Sequence, residues 1–242
     1  MIKDIIRTIC QKLIGYNNYL FLFSRFTIRR IQSGKHEEEF IFFMGLIPEE
    51  GTILDIGANI GIMTACLAKR FPNASVYSFE PMPNNIIALE KVISHYRFNN
   101  VTVFKSALGE EAGELKMILP IVHNAKMQGL SHVVEEGSTE QGIQYSVPVR
   151  KLDDITELQN AARITAIKID VENFEYYVLK GGESILRKHM PIIYCELWDN
   201  DRRNLCMDYL TGMGYHVYIF DGKQLHPFTG QPVINFFFIP AK

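Results

Sequence analysis

A chain of 242 residues that is 47% hydrophobic is long enough to bury one full α/β core. Its net charge of -2 and pI near 6.4 supply no basic field for a nucleic-acid partner, so none is expected. The four cysteines, Cys10, Cys66, Cys195 and Cys206, show neither metal spacing nor a disulfide framework, no run reaches the roughly 18 apolar residues of a membrane span, and no signal-peptide cleavage site is evident, so a cytoplasmic protein is expected.

Residues 1–47 read as an N-terminal helical segment. Lys3, Arg7, Lys12, Arg25, Arg29, Arg30 and Lys35 face Asp4 alone, interleaved with Ile5, Ile6, Ile9, Leu13, Phe21, Phe23 and Phe26. That pattern predicts one or two amphipathic helices capping the domain. The same basic, aromatic face of residues 1–35 is a candidate membrane-peripheral surface for anionic lipid. A further helix is expected over Glu37 to Phe43.

Residues 48–242 read as the domain proper. Ile53, Leu54 and Ile56 form a buried parallel strand that ends at Asp55 and Gly57. Gly57 and Gly61 frame a tight turn before a helix from Ile62 to Arg70. Ser75 to Phe79 is a second strand and ends at Glu80. Asn84 to Arg97 is a helix with Asn84 as its cap, and Val101 to Phe104 a third strand. Residues 106–150 are richer in glycine and polar residues. They predict a β-hairpin excursion, with strands at Glu114 to Leu119 and Gln144 to Val149 and a mobile loop over His123 to Gly142. Ala166 to Asp170 and Pro191 to Glu196 are two more strands, separated by a helix over Phe174 to Leu186 with a weak spot at Lys180-Gly181-Gly182. A helix over Asn200 to Leu210 leads to final strands at Tyr215 to Phe220 and Val233 to Ile239.

The strand ends carry the chemistry. Asp55, Gly57, Glu80, Ser106, Asp170, Glu172 and Glu196 all fall at carboxyl ends, the edge where open α/β sheets bind ligands. Such acids are costly to desolvate unless paired or ligand-bound. An acid after the second strand can accept both hydroxyls of a ribose. The first turn is Asp-x-Gly-x-x-x-Gly, which lacks the third glycine of a pyrophosphate cradle and carries an acid that would repel one. A cationic sulfonium nucleoside fits these demands better than NAD, with Asp55 ordering water or the ligand's ammonium.

The strings ILDIGANIGIMT, YSFEPMPNNIIAL, SALGEEAGEL, VRKLDDI, AIKIDVENFEYYVLKGGESIL and PIIYCEL resemble the FkbM family of class I S-adenosylmethionine-dependent methyltransferases. The resemblance implies a Rossmann-like, seven-stranded, mostly parallel sheet with helices on both faces and its last strand antiparallel. It implies S-adenosylmethionine as cofactor and methyl transfer to a hydroxyl of a sugar, glycolipid or similar small metabolite. Carried over by position, Asp55, Gly57, Asn59 and Gly61 form the methionine-side loop and Glu80 holds the ribose. Ser106 and Ala107 border the adenine, and Asp170 faces the ligand's amino end or the reacting centre. One departure is Asn173, where family members usually have glycine; asparagine tolerates left-handed backbone angles better than most residues.

Transfer to a hydroxyl gains from in-line positioning and from a base. Asp170, Glu172 and Glu196 are the catalytic candidates, with His123 and His132 behind them. Trp198 and Asp199 are candidate acceptor-pocket residues. Asp170, Glu172 and Glu196 together are a weaker candidate for magnesium, and no metal is assigned. The alternative is a non-catalytic adenosine-ligand-binding or membrane-peripheral module of the same fold.

Overall fold

A computed structural model describes residues 2–134 and 140–241, with side chains from residue 7 onward. Part of the loop expected over His123 to Gly142, residues 135–139, lies outside the described residues.

Three helices open the chain: α1 (Ile2–Ile14), α2 (Tyr16–Gln32) and α3 (Glu38–Leu46). The domain then alternates β1 (Thr52–Ile56), α4 (Ile62–Arg70), β2 (Ser75–Phe79), α5 (Pro83–Tyr96) and β3 (Val101–Phe104). β1 is buried along its whole length, as its unbroken apolar run requires when helices cover both faces of a sheet. The excursion contains β4 (Ala107–Leu108), β5 (Gly113–Val122), β6 (Ala125–Lys126), β7 (His132–Val133) and β8 (Gly142–Arg150). β5 and β8 pair antiparallel from Gly113↔Val149 to Pro120↔Gly142, so the predicted hairpin is present and longer than expected. α6 (Thr156–Gln159), β9 (Ile164–Ile169), α7 (Glu175–Lys180), α8 (Glu183–His189), β10 (Ile192–Glu196), α9 (Asp201–Gly212), β11 (Tyr215–Phe220), β12 (Leu225–Pro227) and β13 (Asn235–Pro240) complete the chain.

The main sheet runs β12-β11-β13-β10-β9-β1-β2-β3. From β3 to β10 the strands are parallel, and β13 runs antiparallel between β10 and β11. The expected antiparallel last strand is therefore present, but the sheet has eight strands rather than seven. The extra one is β12, a short antiparallel edge strand on β11. One face of the sheet is covered by α6 to α9, whose Leu158, Leu179, Leu186 and Leu210 share a core with Ile167, Ile193 and Phe236. On the other face, Ile28, Ile31, Phe40 and Phe43 of α2 and α3 share a core with Ile53, Phe71 and Phe237. The Phe43 and Tyr194 rings stack 5.3 Å apart there. Part of the N-terminal segment thus joins α4 and α5 in one of the sheet's two covering layers.

Two local expectations are corrected. The helix expected over Phe174 to Leu186 is two helices. At Gly181 between them the backbone lies so close to Gly109 that an added Cβ would sit 2.0 Å from its carbonyl oxygen. Asp153, distant in sequence, caps α8 by accepting from the Ser184 and Ile185 N–H groups. The cap of α5 is Met82, with Pro83 at the first helical position. Asn84 instead donates to the Tyr145 hydroxyl on β8.

Candidate active site

A cleft opens over the carboxyl ends of β1, β2, β3 and β9, and the excursion contributes to its walls. Of the residues predicted to bind a cofactor, Gly57, Asn59, Glu80, Ser106, Ala107 and Asp170 line it. Of the catalytic candidates, Asp170 and Glu172 line it and Glu196 does not.

Gly57 has φ +78, and a Cβ there would meet the Asp170 carbonyl oxygen at 1.8 Å. The glycine is thus demanded by the neighbouring strand end, which presses the β1 and β9 termini together into one ledge. Asn59, also left-handed at φ 48, donates its N–H to Glu80 Oε2 at 2.8 Å. Glu80 Oε1 accepts from the Met82 N–H at 2.8 Å and from Asn85 Nδ2 at 3.2 Å. This carboxylate ties together the β1–α4 turn, the β2 end and the start of α5. Burial pushes its pKa up to about 7, against the pull of those hydrogen bonds. A carboxylate has roughly four acceptor positions, so Glu80 keeps room for a ligand donor.

Asp55 and Gly61, expected in the methionine-side loop, do not line the cleft. Asp55 is fully buried behind the ledge. Side chains alternate along a strand, and this one points toward α4. There it accepts from Thr64 Oγ1 at 2.6 Å and lies 3.5 Å from Lys168 Nζ. Gly61 starts α4 with φ +83, and a Cβ there would lie 2.7 Å from Leu89 on α5. Its glycine serves helix packing.

Lys168 was not singled out from the sequence. Buried at the end of β9, it donates to the Gly57 carbonyl at 3.0 Å and lies 3.6 Å from Asp170. Burial works to lower its pKa, but Asp170 and Asp55 outweigh this and the ammonium is held above its usual value. Its signal was the one charged residue in a mostly apolar strand, ITAIKI.

Glu172 and Asn173 are consecutive left-handed residues, φ 53 and 73. Asn173 therefore keeps the backbone that a glycine would adopt. Its Oδ1 accepts from Asn200 and its carbonyl from Arg202. Glu175, also unassigned from the sequence, pins this bend by accepting from the Val171 and Asn173 N–H groups. Burial first, then the charges of Asp170 and Glu196, push Glu172 up to about 8. Burial and Asp170 push Glu196 up to about 7.

His132 does not line the cleft; it pairs with Glu140 at 2.9 Å. His123 sits at a left-handed position whose carbonyl accepts from Thr8. Asp199 is almost fully exposed and pairs with Arg203. Trp198 is nearly half exposed and is absent from the cleft lining. Among the described residues no three His, Cys, Asp or Glu side chains come together as a metal site. Gln128, Gly129, Ser131 and Val133 of the excursion line the cleft as well, and none of them was singled out from the sequence.

The residues at the ledge suit a nucleoside. Ser106 Oγ and Asn59 Oδ1 are buried and lack a hydrogen-bond partner, in a cleft that also holds the buried Glu80 carboxyl and the apolar Phe79, Met82 and Leu108. Fold and cleft together define a Rossmann-like α/β domain with a ligand site over its strand ends. The family model described as "Methyltransferase FkbM domain" matches residues 55–217, and the chain belongs to that family. It is 26% identical over 166 residues to Methyltransferase 1 of Beauveria bassiana, a match covering 60% of this chain and 65% of that protein. It is 28% identical over 172 residues to the hexuronic acid methyltransferase AglP of Haloferax volcanii, covering 68% and 66%. A crystal structure of Methyltransferase FkbM from Methylobacillus flagellatus KT shares the fold, with a TM-score of 0.55 at 20% identity. That match covers 80% of this chain and 45% of the other.

Proposed function

We propose that this chain transfers a methyl group to a hydroxyl of a sugar, glycolipid or similar small metabolite. The observation that carries the reading is one cleft in which ribose-type and base-type polar groups meet two carboxylates. Glu80, Asn59, Ser106 and Ala107 line it together with Asp170 and Glu172. A relative that bears the name of a hexuronic acid methyltransferase favours a sugar hydroxyl. Bound S-adenosylmethionine supplies an electrophilic methyl group on a sulfonium. Glu80 takes a ribose hydroxyl at its remaining acceptor position, the Gly57–Asn59 ledge the amino-acid tail, and Asp170 and Glu172 the acceptor side. Glu172, a carboxyl that lines the cleft, receives the hydroxyl proton once it is ionised, as the pH approaches its raised pKa of about 8. Asp170 and Glu196 hold that pKa up by their negative charge. Calorimetric titration with S-adenosylmethionine, followed by transfer of labelled methyl to a panel of sugars and uronic acids, tests this. Binding followed by label on a hydroxyl is expected, whereas binding with no turnover on any acceptor class would favour the non-catalytic module.

A second reading adds a membrane-peripheral role for residues 1–35. Leu13 is 78% exposed and Phe26 58%, with Ile9 and Leu22 also open to solvent. Lys12, Arg29 and Arg30 are exposed near them, the composition of a helix face that lies on anionic lipid.

A further inference from the structure

Gln128 and Ser131 belong to the turn between β6 and β7, outside the main sheet, yet both line the cleft. Gln128 is only 7% exposed. Its Oε1, like Ser131 Oγ and Ser106 Oγ, is buried without a hydrogen-bond partner. Leaving such an atom unpaired costs about 1–3 kcal/mol, so a cleft that collects several of them is shaped for polar groups of a ligand. Around them stand Met82, Leu108, Met117 and Val133, an apolar lining suited to a flat ring.

The turn is built rather than loose. Gln11 on α1 exchanges two 3.1 Å hydrogen bonds with the Lys126 backbone. Arg7 donates to the Met127 sulfur, and the Met127 N–H reaches the Pro120 carbonyl. The first helix thus braces from behind the segment that presents Gln128.

A carboxamide offers a donor and an acceptor side by side. That pair matches the N6 amino group and N7 of adenine, the geometry by which glutamine recognises this base. A carboxylate lacks the donor and a hydroxyl is too short to span both. We infer that Gln128, supplied by the excursion, is the specificity-determining residue for the adenine of the methyl donor. The inference rests on the reading that the donor's nucleoside occupies this cleft.

The test is calorimetric titration of the full chain with S-adenosylhomocysteine and S-inosylhomocysteine, in which the 6-amino group is replaced by oxygen. The natural chain is expected to prefer the adenosyl compound at least about 10-fold, the low end for one bidentate base contact. Gln128→Ala should weaken adenosyl binding about 10- to 100-fold and inosyl binding, which keeps only the N7 contact, by clearly less, so that the preference collapses. Gln128→Asn, shorter by one methylene, should lose the preference in the same way, and serves if the alanine variant does not fold. Adenosyl affinity and preference retained in the folded variants would overturn the assignment while leaving the donor reading intact. Absence of binding by the natural chain to either compound would overturn the donor reading itself.

Discussion

Lys168 and Asp55 form a buried ion pair, 3.5 Å apart, directly behind the ledge that Gly57 forms. Asp55 lies on β1 and Lys168 on β9, and the two strands pair in register at these residues. The same ammonium donates to the Gly57 carbonyl, so the pair couples the floor of the cleft to the sheet. Removing one partner of a buried pair strands the other charge and costs about 3–5 kcal/mol. Lys168→Met is therefore expected to destabilise the chain by about that much in urea denaturation, mainly by isolating Asp55. Adding Asp55→Asn should recover part of the loss. A double variant as destabilised as the sum of the two singles would show that the charges do not interact.

The Gly57 and Asn173 backbones make opposite predictions. At Gly57 an alanine meets both a left-handed φ and a carbonyl oxygen 1.8 Å away. Gly57→Ala is expected to cost at least about 3 kcal/mol and to lower donor affinity by spreading the ledge. At Asn173 a glycine relieves the left-handed strain but loses the bond from Asn200. Asn173→Gly should stay within about 1 kcal/mol of the natural chain, while Asn173→Val, β-branched at φ 73, should lose about 2 kcal/mol or more. Thermal melts of the three variants check this; a stable Gly57→Ala would refute the close approach.

Strand position explains what could be read in advance. Asn59, Glu80, Ser106 and Asp170 follow the last residues of β1, β2, β3 and β9, and any parallel sheet gathers those positions at one edge. Asp55 shares that edge in sequence, but the two-residue period of a strand turns its side chain under the ledge. Gln128 could not be read at all. Its place depends on how the excursion folds back and on Gln11, far away in sequence, holding it there. The same holds for the break between α7 and α8, which follows from contact with Gly109, and for β12, a three-residue edge strand ending in proline. Glu175 stands at a helix start, where an acid is ordinary, and only its burial beside Val171 and Asn173 sets it apart; Lys168 did stand out as a charge within a strand, but its partners are visible only in the fold.

Glu172 carries the kinetic prediction. With its pKa pushed up to about 8, it is mostly protonated at neutral pH and cannot accept a proton until the pH rises. If it is the base, kcat/KM for the acceptor should increase with pH along a single-proton limb centred near 8. Glu172→Gln keeps the shape and removes the titration, so the limb should vanish and the rate fall about 100- to 10,000-fold. A limb unchanged in that variant would remove Glu172 from the role.

The buried acids also set how stability depends on pH. Glu80, Glu175 and Glu196 are pushed up to about 7 and Glu172 to about 8, all above 4.5. Between pH 4.5 and 8 the folded chain therefore holds more protons on these groups than the unfolded chain. Their contribution to stability is complete below about 4.5 and is lost as pH rises through 7 to 8. The urea midpoint should accordingly be higher at pH 5.5 than at pH 8, and Glu175→Gln, which retains an oxygen acceptor for Val171 and Asn173, should flatten part of that slope. A midpoint that rises from pH 5.5 to 8 would contradict the burial of these carboxyls.

The exposed face of α1 and α2 makes the last prediction. Phe26 on α2 lies under the Arg30 guanidinium, 5.9 Å from its carbon, so an apolar ring and a cation are presented together. Leu22 is one turn earlier on the same face, and Leu13 near the end of α1 is more exposed than either. Such a face gains from burying apolar area in the interface and from about 1 kcal/mol per basic residue near an anionic surface. Co-sedimentation should therefore show binding to vesicles rich in phosphatidylglycerol and little to pure phosphatidylcholine, with binding weakened by salt as the Debye length shrinks. Leu13→Glu with Phe26→Glu should lower binding about 10-fold or more at an unchanged melting temperature, because neither side chain is part of the buried core. Equal binding to both vesicle types, or binding unaffected by the double variant, would rule out an anionic membrane as the partner of this face.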